Sequence, residues 1–367
     1  MLPPLHSIGK SIRPPSILPP ARTVIEDEMR RNTFWLAYAT ERLQGLGHGW
    51  VHCLDDQDVT QLLPLRGDQF VDGTLVLPSD RQWAHSKDLI LCHPPGQIDS
   101  FILYVKGTIM ISKVKSFNMR FRAKHFSGDP SVAAPDNEHA ESSDYADPRG
   151  SPAWVELDEM VSRFRACFPS QLRNPISDGV VDSHLYSACL MPHCASIVLH
   201  DPHAEVKHRG CLSALKILTS ARSVLDLIYT VWSTSYDISL LDPFCYFCWF
   251  VAGRVLVRFL KAAQEAQSSD QVSTLQGELD FVHGAIAKAG ERIPMAYRFA
   301  RMLHDLIIAH CGPQSAPTAN PAYPGPLPEL LAGPRTNLVQ LFETSVVNKN
   351  IVQDNLYDPS SFLSMLQ

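Results

Sequence analysis

The chain has 367 residues, 45% of them hydrophobic, with 19% charged residues and a formal net charge of −6. That hydrophobic fraction excludes wholesale disorder, and the length suits one large domain or two modest ones. The acidic balance excludes a global electrostatic drive toward nucleic acid, which needs clustered Lys and Arg.

Residues 1–22 read as a linker, because Pro3, Pro4, Pro14, Pro15, Pro19 and Pro20 forbid a regular helix. This stretch has no uninterrupted apolar run, so a secretory signal is not expected. Thr23, with Glu26 three places on, has capping-box spacing, and Glu26, Asp27 and Glu28 enrich the first turn in acid. The spacing predicts a helix from there to about Gln44, with Met29, Phe34, Ala37 and Tyr38 on its apolar stripe and Gly45, Gly47 and Gly49 ending it. Residues 50–70 read as a loop with one short turn that Asp55 or Asp56 caps and Pro64 closes.

Residues 98–122 mix β-rich and i,i+4 patterns and are assigned to a helix. The polar, proline-containing stretch 127–150 reads as a surface loop or disordered insertion. Helical spacing returns at Trp154, Leu157, Val161, Phe164 and Phe168, again over 181–200, and then at Leu212, Leu215, Leu218, Leu225, Ile228 and Trp232. The run 244–262 reads as a buried helix. Arg254 and Arg258 lie within it, and it falls short of a full membrane span. Leu279, Val282, Ile286 and Ala289 lead into Phe299, Leu303 and Leu306. Long periodic segments with few hairpin signals predict an all-α, multi-helix domain over 23–312. Residues 313–334 form a Pro-rich linker, and 335–367 form an acidic-hydrophobic tail, either an activation segment or a docked helix.

Nine cysteines, several inside apolar runs, suit reduced thiols of an intracellular protein. Cys245 and Cys248 make a C-x-x-C with no second pair, so buried thiols are preferred over a zinc or redox site. Cys189, His193 and Cys194, with His200 and His203, could hold a metal, but Pro192 interrupts the turn. The acids of the 55–58 turn lack the glycine and closing glutamate of a calcium loop. No residue set reads as a catalytic centre.

The stretch Glu26 to Leu65, EDEMRRNTFWLAYATERLQGLGHGWVHCLDDQDVTQLLPL, carries the most specific pattern. Glu28, the pair Arg30 and Arg31, the pair Phe34 and Trp35, Arg42, the glycine loop, then Asp55, Asp56, Asp58, Leu63 and Pro64 follow in order. This resembles the signature of the fungal-specific transcription factor domain, the middle homology region of binuclear zinc-cluster transcription factors. Weaker similarity continues through the helix from His184, where Asp201 replaces a basic residue in the closing turn, and through the apolar helix after Asp242.

The resemblance implies a nuclear, non-enzymatic regulator of RNA polymerase II transcription, responding allosterically to an effector or partner. It also implies contact with a coactivator or the transcription machinery through the tail, and it leaves a homodimer open. The six-cysteine zinc cluster and the helices that normally precede the signature are absent. The resemblance therefore implies a chain shortened at its N-terminus, with zinc and DNA binding belonging to a module outside it and no cofactor within it. A helical ligand-binding protein or enzyme using the His and Cys residues, and a membrane-associated protein anchored through 244–260, are the other readings.

On a helix, Arg30 shares a face with Phe34 and Arg31 with Trp35. A guanidinium can stack on a ring and reach a carboxylate, and the acids at 55, 56 and 58 are the expected partners. The preferred reading is a helix–loop clamp. An anion or effector site at Arg30 and Arg31 is the alternative.

Overall fold

A computed structural model describes residues 18–47, 52–127, 129, 147–208 and 210–317. The expectations for most of the N-terminal linker, for Gly49, for most of the 127–150 insertion, for 318–334 and for the tail lie outside the described residues.

The described chain is all-α, with α1 Val24–Gly45, α2 Gly67–Val71, α3 Ser100–Phe126, α4 Pro152–Phe164, α5 Ser183–His200, α6 Leu212–Trp232, α7 Pro243–Glu265, α8 Ser269–Gly290 and α9 Pro294–Cys311. Side-chain caps set many of the starts. Thr23 accepts from the Glu26 amide at 3.0 Å, as the capping-box spacing predicts. Asp99, Ser151, Asp182 and Asp242 do the same for α3, α4, α5 and α7. Pro152 and Pro243 stand in the first turns of α4 and α7, where no amide is needed.

One hairpin escaped the sequence reading. Ile176–Ser177 pairs antiparallel with Val180–Val181, in the register Ile176 to Val181. Asp178 and Gly179 turn it with φ of +51° and +78°, the geometry an Asp-Gly pair adopts readily.

Helix α5 is the hub of the bundle. It packs on α3, α4, α6 and α7, while α7 packs in turn on α8 and α9. Pro192 does not interrupt α5, as its residue type suggested. The helix is buried on nearly all sides, and tertiary packing holds it through the proline. Helix α7 is long and apolar enough to cross a membrane, but most of that window is buried against neighbouring helices. Cys245 and Cys248 are fully buried within it, and burial pushes both thiols upward. Glycine sets two close approaches. A Cβ on Gly107 of α3 would run into Met191 of α5, and one on Gly253 of α7 would lie 2.7 Å from Leu303 of α9.

Two helix faces differ from the sequence expectation. On α6, Leu212, Leu215 and Trp232 of the expected stripe are 73%, 60% and 43% exposed, whereas its Leu225 and Ile228 are buried as expected, beside Ser213, Ile217, Ala221, Val224 and Val231. Both stripes have helical spacing, and the small residues fit the close packing against α5 and α7. On α1, Met29 and Ala37 point outward, while Glu28, Trp35, Tyr38, Ala39 and Arg42 face inward. The α1 core face thus includes two charged residues, so apolar periodicity alone misplaces it.

Candidate functional site

Trp35, Arg42 and Asp56 converge where α1 meets the loop 52–66 and the middle of α3. Trp35 is fully buried and donates from Nε1 to the Leu62 carbonyl at 2.8 Å. Its ring packs edge-on against Phe34 and Tyr38, with centroids 5.2 and 5.3 Å apart. The Arg42 guanidinium lies 4.3 Å from the Tyr38 ring centroid. Asp55 caps the turn Asp56–Asp58 and also pairs with Arg120 at 3.3 Å. Asp58 is exposed and forms no ion pair among the described residues. Pro64 is buried, at the end of the segment.

Arg42 is fully buried and its donors are shared out. Nε reaches Ser112 Oγ at 2.9 Å, Nη2 reaches the Leu54 carbonyl at 2.6 Å and Asp56 Oδ1 at 2.9 Å, and Nη1 pairs with Glu41. Ser112 and Tyr38 donate to the two Asp56 oxygens at 2.6 and 2.7 Å. Burial alone would raise the Asp56 carboxyl, but the donors from Ser112, Tyr38 and Arg42 hold it below the usual carboxylate range. Lys115 of α3 caps the end of α1 through the Gly45 carbonyl at 2.6 Å, and burial pulls its ammonium down to about 8.

A second buried centre lies one end of α1 away. Glu28 accepts Arg81 at 2.6 and 3.1 Å and the Leu65 amide at 3.0 Å, and it pairs with Arg31. Arg31 also holds Asp27 at 2.9 Å and Gln61 at 3.3 Å.

The expected clamp is therefore corrected in its partners. Arg30 pairs with Glu26 at 2.6 Å and Arg31 with Asp27 and Glu28. Neither meets Asp55, Asp56 or Asp58. Long helical side chains lean toward the N-terminus, so both arginines reach back to the first-turn acids and away from Phe34 and Trp35. The same rule places Arg42 on Tyr38 four residues before it. Acids of the same helix occupy both arginines, Glu26 on Arg30 and Asp27 and Glu28 on Arg31.

Sequence reasoning missed Tyr38, Arg81 and Ser112 as members of this region. Tyr38 stands at the i−4 position of Arg42, and Lys106, Ser112 and Lys115 interrupt an otherwise apolar helix. Both were available signals. Nothing in the loop sequence marks Arg81.

Behind the loop, Lys106 is fully buried, with Nζ 2.7 Å from Gln82 Oε1, 2.7 Å from the Cys92 carbonyl and 3.3 Å from His93 Nδ1. Burial draws this lysine down to about 7 and, with Lys106 beside it, His93 to about 4. Two clefts open on this loop layer and share Arg66, Pro95 and Gly96, one of about 190 Å³ beside Arg81 and one of about 620 Å³ beside His93 and Asp99.

The remaining histidine cluster is a brace. His200 joins Asp158 at 3.0 Å through Nε2 and Ser213 at 3.1 Å through Nδ1, with Trp154 edge-on at 4.8 Å. Lys216 completes the Asp158 pair. Ser213 and His200 are 1% and 2% exposed, so the hydroxyl faces no cleft, and the chain links α4, α5 and α6. Asp201, just after α5, pairs with Arg258 of α7. Among the described residues no group of three or more His, Cys, Asp or Glu side chains is placed to hold a metal ion. Compared with known proteins, the chain matches no family model, no curated protein and no solved structure.

Proposed function

We propose that this chain is a regulatory region of a transcription factor of the fungal-specific type, acting in the nucleus as a helical scaffold that relays an effector or partner signal. The observation that carries the reading is the behaviour of the signature segment. Arg42 and Asp56, 14 residues apart within that segment, are joined to each other and to Ser112 of α3. A buried ion pair has two clearly different energetic states, closed and broken, which is what a relay between sites requires. DNA and zinc binding belong, on this reading, to a module outside the chain, and a coactivator is the partner of the tail.

The test is a tethering assay. The full chain is fused to an unrelated DNA-binding domain and transcription of a reporter is measured, alongside Arg42→Gln and Asp56→Asn. The reading requires a change in transcription relative to the DNA-binding domain alone, and a further change when the Arg42–Asp56 pair is broken. A reporter insensitive to the fusion at normal nuclear expression levels would remove it.

A further inference from the structure

We propose that residues 2–17 of this chain dock on the outer face of α1 and the adjacent 71–77 loop, with Leu2, Leu5 and Ile8 on its apolar side chains and Lys10 and Arg13 against its acids. The inference goes beyond the regulatory reading and does not depend on it.

The face is apolar and open. Ile25, Met29 and Leu36 of α1 are 40–57% exposed, and Val71, Leu75 and Leu77 are 56–76% exposed. The loop is held beside α1 at both of its roots, because Glu28 binds the Leu65 amide and the Arg81 guanidinium. Ile25 closes the gap between them, with Cδ1 3.5 Å from the place a Cβ on Gly73 would take. Large apolar side chains gathered in this way mark a binding face.

The path of the chain names the occupant. The Arg22 amide reaches Glu26 Oε2 at 2.8 Å and Arg30 Nη1 reaches the Pro19 carbonyl at 2.6 Å, so residues 19–22 lie against the first turns of α1. Leu18, just before them, is exposed. Pro3, Pro4, Pro14 and Pro15 favour the extended polyproline II form for what precedes it. That form rises about 3.1 Å per residue, and Ile25 to Leu36 spans about 17 Å of helix, so roughly six residues cover the stripe. With three residues per turn, Leu2, Leu5, Ile8, Pro14 and Ile17 would share one edge, and Lys10 and Arg13 another.

The charges agree with this placement. Residues 1–17 include His6, Lys10 and Arg13 and no acid. Asp72 and Asp80, on the loop side of the face, are exposed and form no ion pair among the described residues. Attachment to α1 also favours this segment over a second copy. A short tether supplies an effective concentration on the order of millimolar, so a contact too weak to join separate chains closes within one.

The experiment puts a photo-crosslinking amino acid in place of Leu5 or Ile8 in the full chain, mixes isotopically light and heavy preparations, and maps the products by mass spectrometry. Crosslinks within one chain to residues 24–37 or 66–80 are expected. Crosslinks between light and heavy chains would give the face to a second copy and overturn the proposal, as would crosslinks elsewhere or none. Hydrogen exchange is measured in parallel on two double variants, Leu5→Asp with Ile8→Asp and Lys10→Glu with Arg13→Glu. Both should exchange at least about threefold faster than wild type over 71–77, while unchanged exchange in the buried helix α5 shows that the fold is intact. Wild-type exchange over 71–77 in either variant overturns the proposal.

Discussion

Arg42 and Asp56 are held together twice, once directly at 2.9 Å and once through Ser112, which accepts from the guanidinium and donates to the carboxylate. Three chain segments thus meet at one charge pair: α1, the turn at 56–58 and α3. Removing one member of such a pair strands the others, and that asymmetry gives the first test.

Arg42→Met leaves Asp56 and Ser112 facing an apolar side chain and should cost about 3 kcal/mol of stability. Asp56→Asn keeps the shape and part of the hydrogen bonding, so its cost should be about 1 to 2 kcal/mol. Urea denaturation of both single variants and the double variant should show a coupling of at least about 1 kcal/mol. Costs that simply add would mean the two residues do not act as a unit.

Glu28 carries a heavier load than its neighbour Asp27. It is 1% exposed and meets Arg31, Arg81 and the Leu65 amide, whereas the Asp27 carboxylate is 55% exposed. Glu28→Gln should lower stability by about 3 kcal/mol. Asp27→Asn should lower it by less than about 1 kcal/mol. A larger loss from Asp27→Asn in the same denaturation series would contradict the assignment of Glu28 as the shared acid.

The faces of α6 separate cleanly by substitution. Ile217 is fully buried and Leu215 is 60% exposed. Ile217→Ala should cost about 2 to 4 kcal/mol, and Leu215→Ala less than about 0.5 kcal/mol. Thermal melts in the opposite order would restore the leucine stripe as the core face.

Acid should destabilise the fold before most carboxylates titrate. His52, His93, His193, His203 and His283 are each drawn down to about 4, with burial as the largest cause. An unfolded histidine takes its proton near 6.5. Between about 6.5 and 4 the unfolded chain therefore binds more protons, and stability falls as pH falls through that window. His283, only 2% exposed, would by itself contribute up to about 3 kcal/mol at the acid end. The urea midpoint should drop between pH 7 and pH 5, with a shallower drop in His283→Phe. An unchanged midpoint over that interval would refute the linkage.

Local signals in the sequence located most helices. Thr23 with Glu26 marks a helix start whose chemistry is complete within four residues, so no distant contact is needed to read it. The apolar spacing of Trp154, Leu157, Val161 and Phe164 gave α4 and its buried face together, because only one stripe on that helix is apolar. On α6 two stripes qualify, and neighbouring helices decide between them. In the candidate site, the signature residues were legible as a group, but their pairing was not. Arg81 is distant in sequence and carries no pattern, yet it supplies the main partner of Glu28.

Composition and periodicity determined by themselves that this chain is an all-α bundle with a charged, aromatic helix at its start, because helix formation and capping depend on neighbours within a turn or two. Only the tertiary structure decided which charges are buried and with whom. Arg31 and Arg42 are equally free to pair in the sequence. The lean of helical side chains turns the first toward its own helix, and the packing of α3 against the 54–58 turn closes water away from the second.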